Sequence, residues 1–207
     1  MSVGTITVNR VFFFTSISHD IFYRSAQYVP NKKLQQYERC LKELIGLYLN
    51  ADFPITGINC NNEFKTTFTQ LVQIYKLQIC TVAAQFHVPK AERNNHVIKE
   101  RVRCTYYNLH YQDMPKTLLI YMVQEAASKL NFFAERYRIS QSYSPHMIIH
   151  KRYIGYQTHG MFHIREYTLG HQDVTIKKRN AITGTRLYLF TFVFNLTWKT
   201  RTITYQN

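Results

Sequence analysis

Apolar residues recur with two different periods along this chain, and the order in which the periods alternate leaves few architectures open. From Ser2 to Val29 the pattern is that of strands: TITV, VFFFTSI and IFYRSAQYV are rich in β-branched and aromatic residues and are separated by Asn9-Arg10 and by Ser18-His19-Asp20. Three consecutive antiparallel strands are the simplest outcome. From Asn31 to Asn50 the spacing changes to that of a helix, with Leu34, Tyr37, Leu41, Leu44, Ile45 and Tyr48 on one stripe. A short strand ITGINC follows, then a helix through Phe68, Leu71, Val72 and Tyr75, then a second short strand LQICTV. Pro89 opens a basic helix reaching Leu109, with Ala91, Val97, Ile98, Val102 and Leu109 as its apolar positions. Met114-Pro115 starts another helix through Leu118, Leu119, Met122, Val123, Ala126 and Leu130. A meander followed by strands alternating with helices predicts a mixed sheet covered by helices on both faces. Phe12, Phe14, Ile58, Leu71, Ile79, Ile98, Val102, Leu118 and Met122 are its expected core.

Beyond Phe133 the texture changes. Ser144-Pro145 begins a short apolar turn or helix, and from about Tyr153 the segments GMFHIREYTLG, TRLYLFTFVFNL and RTITYQ are β-like, with a turn at Asn180 to Gly184. The expected organisation is a core over residues 1–135, a connecting segment over 136–152 and a small β-rich region over 153–207, which is too short to bury much core alone.

Charge narrows the partners. The 26 Lys and Arg against 12 Asp and Glu leave +14, which favours a polyanion, most simply DNA or RNA. Arg93, Lys99, Arg101 and Arg103 on the basic helix are the expected nucleic-acid contacts, and Glu92 in its first turn is a candidate oxygen ligand for a metal beside them. A capped surface helix is the plainer account of the same residues. Cys40, Cys60, Cys80 and Cys104 form no CxxC pair and have no matching His spacing, so reduced thiols in the cytoplasm or nucleus are expected, without a zinc site. The apolar runs are too short to span a bilayer, and no targeting peptide is visible. There is no G-x-S-x-G, glycine-rich phosphate loop or H-E-x-x-H, which sets aside the commonest hydrolase and nucleotide sites. His87 and His96 flank Glu92, whereas His19 and His150 have no evident partner in the sequence.

Three stretches resemble the integrase catalytic core of copia-type retrotransposon polyproteins: INCNNEF, HVPKAERNNHVIKERVR, and MPKTLLIYMVQEAASKLNFF with SYSPHMIIH. The resemblance covers nearly the whole chain, more loosely across YTLGHQDVTIKKRNAITGTRLYLF and VFNLTWKTRTIT. It implies a ribonuclease H-like five-stranded mixed sheet, βββαβαβα, and ancestrally a two-metal DNA strand transfer using Mg²⁺ or Mn²⁺ held by three acids. Those acids fall on Gly4, Asn61 and Glu92, and only Glu92 is acidic. Thirty residues lie between Asn61 and Glu92, enough for the intervening strand, helix and strand. Two divalent ions about 4 Å apart need several anionic oxygens, so metal binding is expected to be weak or absent and catalysis impaired. Asp20, Asp52, Glu63 and Asp113 are the other acids that could lie near the sheet, Glu63 being closest in sequence to Asn61. The expected partners are DNA and, as in related integrases, a second copy of the chain, with no membrane. Such integrases carry a zinc-binding module ahead of the core, and no His and Cys pairs for one occur here, as in a decayed or co-opted copy. A non-catalytic basic nucleic-acid-binding module and a non-functional retroelement remnant are the alternatives to an integrase-type enzyme.

Overall fold

The computed structural model describes residues 1–82, 88–107, 109, 114–134, 139–155, 167–170 and 188–191. Ser2–Val8 (β1), Val11–Ile17 (β2) and Arg24–Val29 (β3) form an antiparallel meander, and Leu34–Asn50 is the helix α1. Gly57–Asn61 (β4) runs through a 3₁₀ turn, Asn62–Phe64, into the helix Lys65–Tyr75 (α2), which leads to Gln78–Val82 (β5). The helices Pro89–Tyr107 (α3), Lys116–Leu130 (α4) and Pro145–His150 (α5) follow. The five strands lie in the order β3-β2-β1-β4-β5, with β4 parallel to both β1 and β5. This is the mixed sheet predicted from the sequence.

Both faces of the sheet are covered, and strand alternation decides which residue goes where. Val3, Phe14, Val29, Ile58 and Cys60 join Tyr37, Leu41, Leu44 and Tyr48 of α1, with Phe68 and Leu71 of α2, in one core. Phe14 sits among aromatic rings, with centroids 6.2 Å from Tyr37, 6.0 Å from Phe64 and 6.3 Å from Phe68. Phe14→Ala should lower unfolding stability by about 3–5 kcal/mol, read as a shifted urea midpoint; a loss under about 1 kcal/mol would show that this cluster is not the core. The opposite face carries α3 against β1 and β2, and α4 against β3. Seven of the nine expected core residues are buried. Phe12 and Ile79 are instead half-buried at the edge of the first core. Leu34, expected on the stripe of α1, is instead 55% exposed at the first position of that helix.

Polar side chains fasten the ends of these elements. The Asn131 side chain accepts from the Arg24 N–H at 2.7 Å and donates to the Arg24 carbonyl at 2.8 Å, tying the end of α4 to the start of β3. The Asn131 carbonyl accepts from the His146 N–H, and Ile149 of α5 enters the α1–α2 core. His150 is hydrogen-bonded to the Tyr23 hydroxyl at 3.1 Å, and His19 to Ser2 at 2.7 Å, which supplies both histidines with the partners the sequence did not reveal.

Burial lowers the pKa of His19 and His150 below the ordinary value of 6.5. The unfolded chain therefore binds more protons in the window between the folded and unfolded values. The contribution of these histidines is complete above the unfolded pKa and is lost as pH falls below it. The melting temperature should be lower at pH 5 than at pH 7.5, and part of that slope should disappear in His19→Gln/His150→Gln; an unchanged slope would assign it to other groups.

The chain divides into two compact units, Met1–Ile154 and Gly155–Asn207. In the second, Tyr167–Gly170 (β6) pairs antiparallel with Tyr188–Thr191 (β7). The expected turn at Asn180 to Gly184 and the RTITYQ segment lie outside the described residues.

Candidate nucleic-acid interface

The parallel pairing of Ser2 with Asn59 sets Gly4 level with Asn61 on the adjacent strand. Val3 and Cys60 point into the α1–α2 core, so Gly4 and Asn61 belong to the other face, the one that α3 covers. A Cβ added at Gly4 would lie 3.4 Å from the Asn95 Nδ2 and 3.5 Å from the Ala91 Cβ. Gly4 therefore meets the first turns of α3, where Glu92 stands next to Ala91, exposed to solvent.

Two asparagines seat that helix. Asn95 donates to the Thr5 carbonyl at 3.3 Å and accepts from the Thr15 hydroxyl at 2.6 Å, while Asn94 donates to the Ser16 carbonyl at 3.4 Å. Asn94 is only 2% exposed, and its Oδ1 has no hydrogen-bond partner among the described residues. Sequence reasoning passed over both residues, although Asn94 falls at stripe spacing between Ala91 and Ile98, where a polar residue must find partners. The amide of Asn95 takes up space that a side chain at Gly4 would need. Gly4→Ala should be tolerated, because a methyl group would make ordinary contacts. Gly4→Asp should lose about 1–3 kcal/mol in a denaturation experiment by displacing the Asn95 hydrogen bonds; equal stabilities would show that the amide is not held there.

Asn94 reaches β2 and Asn95 reaches β1, so the flank of α3 that bears Glu92 is the one on the β1 side, and β4 with Asn61 is the next strand beyond. Lys99 and Arg103 continue along this flank and line a cleft with Thr7 and Asn9 at the far end of β1. Arg93 and Arg101 are exposed elsewhere on the helix. Arg101, nine residues after Glu92, lies about 180° around the axis from it. The expected basic set is thus divided, with Lys99 and Arg103 on the Glu92 flank and Arg101 on the opposite one. Arg103 is also ion-paired with Glu100.

Of the other candidate acids, Glu63, Asp52 and Asp20 are among the described residues. Glu63, in the 3₁₀ turn after Asn61, acts on groups of the α1–α2 face. Burial, then its charge, raises the Tyr37 phenol, and it adds to the burial that pushes the Cys60 thiol up to about 11. Asp52 pairs with Lys151 at 2.6 Å, Asp20 is exposed beside His19, and Asp113 and His87 lie outside the described residues. Among the described residues no three His, Cys, Asp or Glu side chains gather into a set that could hold a metal.

The thiols separate by burial. Cys40 and Cys60 are buried, and burial pushes both up to about 11, whereas Cys80 and Cys104 are exposed. Two thiols should react promptly with a disulfide reagent at pH 8 and four after denaturation; four prompt thiols would mean that the α1–α2 core is open.

The five-stranded mixed sheet with helices on both faces is the ribonuclease H-like α/β fold of integrase catalytic cores. A solved structure to which the chain is similar is the catalytic core domain of BIV integrase in crystal form I, with a TM-score of 0.51 and 15% sequence identity over 72% of this chain and 92% of that one. At that identity the likeness establishes the fold. No protein-family model matches the chain, and no curated protein matches it. No helix among the described residues is long and apolar enough to cross a membrane.

Proposed function

We propose that the chain is an integrase-like core of copia-type retrotransposon descent that has kept a DNA-binding surface and lost metal-dependent strand transfer. The observation that carries this reading is the state of the face under α3. Gly4 and Asn61 stand level on adjacent parallel strands beside the turn bearing Glu92, and the Asn95 amide lies against Gly4 where a first acid would project. The residues present do not fit a pair of divalent cations: Gly4 has no side chain, the Asn61 carbonyl is neutral, and Glu92 alone is anionic. DNA binding is supported by the net charge of +14 and by Lys99 and Arg103 on the flank that carries Glu92.

Calorimetric titration with Mg²⁺ and Mn²⁺ tests the loss of the metal site, and fluorescence anisotropy on a duplex oligonucleotide tests the retained surface. The expected pair of results is no saturable metal heat below millimolar concentrations together with duplex binding at low salt. Saturable metal binding abolished by Glu92→Gln would restore the enzymatic reading. Absence of duplex binding at 50 mM salt would leave a folded remnant.

A further inference from the structure

We propose that the cleft at the β1–β2 turn receives one unpaired nucleotide of a DNA strand; this rests on the nucleic-acid-binding reading above and extends it to a particular site. The cleft has a volume of about 340 Å³, near the lower end of ligand pockets and suited to one nucleotide unit rather than a duplex. Its inner wall is apolar, built from Val102 of α3 with Leu119 and Met122 of α4, all buried. Two rings stand at its side: Tyr106 and Tyr107 have centroids 6.1 Å apart at 80°, and Tyr107 is 81% exposed, which leaves its face open for stacking. Lys99 and Arg103 line the same cleft, and Lys99 has no ion-pair or hydrogen-bond partner among the described residues.

The third wall is the turn itself. Val8 pairs with Val11, so Asn9 and Arg10 form a two-residue hairpin loop, with φ of 43° and 64°. Loops of this kind favour glycine at such angles, and an arginine there bears a conformational cost while adding a cation at the mouth of the turn. Asn9 also lines the cleft, and its carboxamide is a donor and acceptor pair suited to a base edge. An apolar wall and an open ring for a base face, an amide for its edge and cations for its phosphate are what single-strand recognition requires. A base inside a duplex is already stacked and paired and cannot enter. Along α3 the cleft residue Arg103 lies about 16 Å from Glu92, eleven residues away, so a strand could pass both on the same flank.

The test uses the full chain and a fluorescein-labelled single-stranded 12-mer, its duplex form, and free dAMP as competitor. Tyr107→Ala should weaken single-strand binding by about tenfold and alter duplex binding by less than about twofold, with Tyr107→Phe restoring the affinity. Because Tyr107 is exposed, this variant leaves the core intact. Equal losses on both probes, or no loss on either, would overturn the cleft assignment while leaving duplex binding in place. Competition by dAMP with no single-strand preference would also overturn it, in favour of a free nucleotide. If the unaltered chain bound neither probe at 50 mM salt, the DNA-binding reading itself would fail first.

Discussion

The unaltered chain, supplied with Mn²⁺ and a DNA end, should give no strand transfer or end processing above background, and Glu92→Gln should leave that result unchanged. A catalytic unit that loses members typically falls by roughly 10⁴-fold or more, and further removals then add little. Here two of the three positions that the family resemblance assigns to acids, Gly4 and Asn61, carry none, so Glu92 is the one carboxylate left of the three. Restoring activity calls for more than two acids. Asp at position 4 would meet the Asn95 amide, which is held by the Thr5 carbonyl and the Thr15 hydroxyl. Gly4→Asp/Asn61→Asp should therefore gain less metal affinity than the same pair with Asn95→Ala, which empties that space. Any activity gained by the triple variant should vanish on adding Glu92→Gln. Metal-dependent cleavage by the unaltered chain, lost on Glu92→Gln, would refute the silent-core reading.

Duplex affinity should fall by about 10³-fold or more between 50 and 200 mM salt, if six or more phosphates are neutralised, because each contact releases a condensed counterion. A net charge of +14 on a 207-residue chain should make this term dominant over base reading. The logarithmic slope, measured by anisotropy, counts the contacts. Lys99→Gln and Arg103→Gln should each reduce it by about one, uniformly across sequences. The same change at Arg101, on the opposite flank of α3, should do less if the strand follows the Glu92 flank. An affinity independent of salt would eliminate the electrostatic account, and equal effects at Arg101 and Lys99 would mean that DNA wraps the helix instead of tracking one flank.

The sequence by itself determined the order of elements and most of the core. Period-2 runs from Ser2 to Val29 and the stripe from Tyr37 to Tyr48 are local signals, because alternation and helical spacing are properties of neighbouring residues. The chemistry of the three positions that the resemblance assigns to acids was also legible, since glycine and asparagine cannot become carboxylates in any fold. Tertiary structure alone decided what replaced the missing side chain at Gly4, since Asn95 lies 91 positions further along and meets it only when α3 docks on β1. It also decided which flank of α3 faces β1, the one that carries Glu92, Lys99 and Arg103. That placement depends on which flank of a helix and which face of a sheet is already occupied. Such occupancy comes from packing between elements distant in sequence, which no local pattern encodes.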